Sequence, residues 1–172
     1  MFHPDTQTLI DHWHSLPRKS GLPMRARFDP SRLGPLVPWL LAARFEREGF
    51  VLRLLGEALR EASALAPGQR LTGLFADGAD ATAVHASAME AIVRHQPMVI
   101  SAQSLEGTPA ELCLLPFRSA NERPDRLIGL IRMASSDALE APLRLQFIEA
   151  RACETPAIQA LRLAAIDGRR LG

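Results

Sequence analysis

Between Met98 and Met133 the chain carries three apolar runs, Met98 to Leu105, Glu111 to Phe117 and Arg126 to Met133, with turn signals and no helical pattern between them. Gly107-Thr108-Pro109 turns the first into the second, and Ser119 to Asp125 is a polar loop before the third. Strands joined by such short links pair antiparallel. In the third run Leu127, Gly129 and Ile131 alternate with Ile128, Leu130 and Arg132. Both faces are largely apolar, which places this strand in the middle of a sheet.

The rest of the chain must fit around that meander. Leu36 to Phe45 reads as a strand whose first half Pro38 holds at a sheet edge. Phe50 to Leu55 is a second strand, with Phe50, Leu52 and Leu54 on one face and Arg53 on the other. The two form a hairpin across Glu46 to Gly49, and Gly56 ends it. Glu57 to Ala81 is short helices and turns, interrupted by Gly68, Gly73 and Gly78. Asp80 to His95 is a longer helix with Val84, Ala88, Ala91, Ile92 and His95 on one face, stopped by Pro97.

At the N-terminus Asp5 to Leu16 is a helix with Leu9, Trp13 and Leu16 as its apolar stripe and Asp5 or Thr6 as its cap. A basic, proline-bearing connector follows, and Asp29 caps a short helical turn begun by Pro30. Beyond Met133, Leu143, Leu145 and Phe147 alternate as a further strand. Thr155-Pro156 opens a last helix, with Ile158, Leu161 and Ala165 as its stripe and Gly168 as its stop. Helix, two strands, helical middle, three strands is the grammar of an α+β fold with an antiparallel sheet, not of a doubly wound one.

A length of 172 residues, 47% of them apolar, suits one domain with a sizeable core. The formal net charge of +1 creates no strong field toward nucleic acid or an acidic substrate. Cys113 and Cys153 form no C-x-x-C pair, and the start MFHPDTQTLIDHW has neither a basic n-region nor an apolar h-region. The longest apolar run, Leu36 to Ala43, is broken by Pro38 and too short to span a bilayer. A soluble, cytoplasmic protein without membrane contact is expected.

Local residues add a resemblance. Leu9-x-x-x-Trp13 is followed by Pro23-x-Arg25, Phe28-Asp29-Pro30 and Leu33. Leu36-x-Pro38 precedes the first strand, Arg53-Leu54-Leu55-Gly56 ends the second, Leu71-Thr72-Gly73 lies in the helical middle and Leu115-Pro116-Phe117 closes a late strand. In this order they resemble a short, stand-alone PAS subfamily common in α-proteobacteria, over roughly Leu9 to Met133. The resemblance implies a sheet of about five strands, flanked here by N- and C-terminal helices. It divides the chain into a helix and connector (1–22), a PAS-like domain (23–136) and an extension (137–172). It also implies a small ligand or partner held in or on the cupped sheet, and dimerisation through the N-terminal helix.

Tests for chemistry give little. His12 and His14 diverge by about 200° on a helix and cannot share a metal without distortion. No cysteine or carboxylate stands beside any histidine at ligand spacing, so no metal site is expected. The histidine position that haem-binding PAS domains use is His85, which lies about 100° from Val84 and reads as surface. The reactive-cysteine run of flavin-binding PAS photosensors is missing; Cys113 reads as a small buried hydrophobe in a strand. Haem and flavin are thus unsupported, and the cofactor is unknown. No nucleophile elbow, phosphate-binding loop or credible acid/base pair emerges; Glu106 and Glu111 merely flank a turn. The clusters Arg25, Arg27, Arg32 and Arg169-Arg170 lack interleaved aromatics, which disfavours nucleic acid.

The resulting expectation is a sensory or regulatory module, not an enzyme, holding a small ligand or a partner protein. The alternative is a ligand-free scaffold acting by dimerisation or partner docking. Candidate pocket residues are Trp39, Leu52, Leu54, Val84, Ala88, Ile92, Leu112, Leu114 and Leu130. Leu9, Trp13 and Leu16 are candidate anchors of a homodimer, although Trp13 suits the core or its own sheet equally well. An unidentified signalling protein would receive the output.

Overall fold

A computed structural model of the chain describes residues 1–134 and 142–154; the helix expected from Thr155 to Gly168 lies outside them. Helix α1 spans Pro4–Ser15. Pro4 sits at its first turn, where a missing N–H costs nothing. The cap is His3, whose Nδ1 accepts from the Asp5 N–H at 3.1 Å, so neither Asp5 nor Thr6 caps the helix. A two-residue hairpin follows, β1 (Arg18–Lys19) with β2 (Leu22–Pro23).

Pro30–Trp39 forms 3-10 turns kinked at Gly34, whose φ is +40°, and Asp29 caps them through the Ser31 N–H at 3.0 Å. The expected strand therefore loses its first half. Pro35 and Pro38 offer no N–H to a ladder. Strand β3 begins at Leu40, ends at Glu46, and lies inside the sheet between two neighbours, not at an edge.

Strand β4 (Gly49–Leu55) pairs with β3 around the two-residue turn Arg47-Glu48. Helix α2 (Glu57–Ser63) and a 3-10 turn (Leu71–Leu74) lead to α3 (Gly78–Arg94). His95 closes α3 with φ +54°, two residues before Pro97. Strands β5 (Met98–Ser104), β6 (Pro109–Phe117) and β7 (Arg126–Met133) form the expected meander. Strand β8 (Leu145–Ala152) then pairs antiparallel with β5. The order is β4-β3-β7-β6-β5-β8, six strands in one antiparallel sheet. Strand β7, apolar on both faces, is interior as its pattern requires.

Each face of the sheet carries its own core. On one side α2, α3 and the Leu71–Leu74 turn cover Leu41, Ala43, Phe50, Leu52, Ile100, Leu112 and Leu127. On the other, α1 and the 3-10 segment cover Val99, Cys113, Leu115, Phe117, Ile128 and Leu130. Trp13 is fully buried there, and its Nε1–H donates to the Pro116 carbonyl at 2.8 Å across the layer. Gly56 threads the crossing from β4 to α2: a Cβ there would lie 2.3 Å from the Pro38 oxygen.

One irregularity changes which residues point inward. Ala43 pairs with Leu52 but Ala42 pairs with Leu54, leaving Arg53 as an extra residue, a β-bulge. Beyond it the alternation flips. Leu55 packs into the helix-side core, and Leu54 turns to the other face, 54% exposed.

Candidate functional site

The hairpin turn, the 3-10 turn and the first half of α3 meet at one rim of the helix-side core. Glu48, Phe50, Arg70, Thr72, Thr82 and His85 line a cleft there of about 220 Å³. The backbone of Arg70 is fixed by a bridge to Val51 of β4 and by its carbonyl, which accepts from the Gly73 N–H at 3.0 Å. Its guanidinium lies over Gly49, where a Cβ would stand only 3.3 Å from Nη1, so the bare glycine makes room for it. The Phe50 and His85 rings pack 6.1 Å apart beside it. Among the described residues Arg70 has no ion-pair partner. A permanently charged fork with two threonine hydroxyls and an imidazole above a floor of Phe50 and buried Leu71 can hold a small polar group. It contains no nucleophile paired with a base.

A larger cleft, about 380 Å³, opens where α1 begins, with Glu111, Arg132 and Ile148 among its walls. Its charges are already engaged. Glu111 accepts the His3 N–H at 3.1 and 3.0 Å, and Arg132 pairs with Asp5 at 2.8 Å. These contacts clamp α1 to the sheet. The buried thiols are also inert. Burial pushes Cys113 well above its usual range and Cys153 up to about 11, so neither is a thiolate at neutral pH.

The residues expected to line a pocket scatter. Leu52, Val84, Ala88, Leu112 and Leu114 do gather on the helix side of the sheet. Each is at 0% exposure, however, so no water-sized space touches them. Ile92 joins the same cluster, and Trp39 packs at the boundary of both cores. Leu130 is on the opposite face under α1, because Leu127 and Ile131 take the inner positions of β7. Leu54 is turned to solvent by the bulge. Neither can line a cavity beneath α3. The dimer anchors are likewise occupied: Leu9, Trp13 and Leu16 pack on the chain's own sheet. Arg70 and Thr82, the polar groups of the rim, carry no periodic signal in the sequence; only the Leu71-Thr72-Gly73 match marks their neighbourhood.

Helices packed on one face of an antiparallel sheet, a hairpin leading into them and a three-strand meander leading out, define a PAS fold. A family model described as PAS domain matches residues 1–132, and the chain belongs to that family. Its match begins at residue 1 and so takes in α1. Among solved structures, one from a study of a flavin analogue in a light-oxygen-voltage domain aligns with 12% identity and a TM-score of 0.45, covering 62% of this chain and 84% of the other. A second, an RNA-binding light-oxygen-voltage receptor, aligns with 19% identity and a TM-score of 0.44, covering 90% of this chain and 41% of the other. None of the curated proteins compared matches the chain. No helix among the described residues is long and apolar enough to cross a membrane.

Proposed function

We propose that the chain is a non-catalytic regulatory module whose input is a small polar ligand taken up in the rim cleft, and whose output passes to a separate signalling protein. The observation that carries this reading is Arg70: its backbone is fixed by the bridge to Val51 and by the Gly73 N–H, and its guanidinium faces a cleft with no ion pair among the described residues. Occupancy would act on the packing of β4, the Leu71–Leu74 turn and α3, which meet at the cleft. The fully packed sheet interior favours the rim over the interior as the ligand's place. A cytoplasmic location belongs to this reading.

Native mass spectrometry and absorption spectroscopy of protein purified from its own host test it. The expected result is a retained small molecule, lost in Arg70→Ala while the melting temperature of the empty protein is unchanged. A wild-type protein that retains nothing, and whose melting temperature no metabolite pool from that host raises, overturns it in favour of a ligand-free scaffold.

A further inference from the structure

The layer that covers the outer face of the sheet stops short. Phe28 packs edge-on against Phe117 of β6 with ring centroids 5.7 Å apart, and cover ends near there. Beyond it the outer positions of β7, β3 and β4 carry Arg126, Arg44 and Val51, in direct register across the three strands. Two guanidiniums thus stand opposite each other in an antiparallel pair, an arrangement that costs stability. Arg25 adds to it, since its own charge is disfavoured by burial and by Arg126. Arg53 projects from the bulge on the same face, and beside it Leu54 is exposed. The counter-charges at this patch are Glu46, which pairs with Arg53 and Arg44, and Asp125, which pairs with Arg126. Four arginines therefore face two carboxylates around an exposed leucine and a half-buried valine.

We propose that this outer face of β3 and β4 docks an acidic protein segment that presents an apolar side chain to Leu54 and Val51. Charge complementarity selects the occupant. A like-charge pair that weakens the isolated fold is relieved by carboxylates arriving from outside. The bulge supplies the apolar anchor by re-aiming Leu54 out of the core. A second copy of this chain is a poorer fit, because its corresponding patch is equally basic. The proposal names the kind of output partner in the regulatory reading above, but the surface stands on its own geometry; a failed search for a cleft ligand leaves it intact.

The test uses the full chain and fluorescein-labelled helical peptides with one leucine face and one glutamate face, compared with peptides in which glutamine replaces glutamate. Fluorescence anisotropy at low salt is expected to show at least tenfold tighter binding of the glutamate peptide, weakening as salt rises. Arg44→Glu is expected to weaken that binding at least tenfold while holding or raising the melting temperature, since it removes the like-charge pair. Leu54→Asn is expected to weaken binding with no change in melting temperature. Equal binding of the two peptides, or binding that both variants leave intact, overturns the proposal. So does tighter binding of a duplex DNA probe than of the glutamate peptide, or a wild-type dimer that Arg44→Glu dissociates.

Discussion

Trp13 shows how one side chain can tie two layers. Its ring fills the space between α1 and the sheet, Arg18 stacks over it at 3.9 Å, and its N–H satisfies the Pro116 carbonyl. That carbonyl belongs to a fully buried stretch of β6 and has few other ways to be satisfied. Trp13→Phe keeps most of the apolar area but orphans the acceptor. It is expected to lower stability by about 1–3 kcal/mol, read from urea denaturation. The outcome separates the hydrogen bond from packing, because Phe preserves the stripe that Leu9 and Leu16 share.

At the scale of elements, β8 is the informative case. It shields the outer edge of β5 from solvent and from stray strands. Leu145, fully buried at its start, pins it to the helix-side core, and its carbonyl accepts the Ala76 N–H at 2.9 Å. Leu145→Ala is expected to cost about 2–5 kcal/mol. Hydrogen exchange should then rise in β5 more than in β3, which keeps both its neighbours; equal rises in the two strands would refute this role for β8.

Most elements could be read from the sequence because their periodicity follows from burial: one apolar face for α1 and α3, two for β7. Three features could not. Nothing in Leu52-Arg53-Leu54-Leu55 distinguishes a regular strand from a bulged one, yet the bulge decides which leucine is core. Leu36 to Phe45 looks continuous in hydropathy, but Pro38, with Pro35 just before the run, keeps its first part in 3-10 turns and lets the strand begin only at Leu40. The alternation at Leu143, Leu145 and Phe147 announces a strand without naming its partner. The rim cleft was less legible still, since its polar groups come from three separate elements, and only the fold brings them together.

For the whole molecule, alkaline pH is a clean probe. The chain has no tyrosine and a single lysine, Lys19, so few groups titrate between pH 9 and 11. Burial raises Cys153 from an ordinary 9.0 to about 11 and pushes Cys113 well above its ordinary value in the same direction. Unfolding returns both to their ordinary range, so in this window the unfolded chain sheds protons that the folded one keeps. Stability contributed by the neutral thiols is complete below pH 9 and is lost as pH rises toward 11 and beyond. Denaturation midpoints should therefore fall steadily from pH 9 to 11 under reducing conditions. The double variant Cys113→Ala/Cys153→Ala should flatten that fall; an unchanged slope would show that the thiols do not drive it.

The sheet order also sets a timetable for biosynthesis. Strand β5 emerges with residues 98–104, gains β6 within a few residues, but meets β8 only when residues 145–152 have been added. At about 5–20 residues per second that interval lasts seconds. A hairpin forms in about 1–10 μs. Each nascent chain thus spends a long time, on the scale of folding, with one side of its meander unpaired and open to neighbouring chains on the same message.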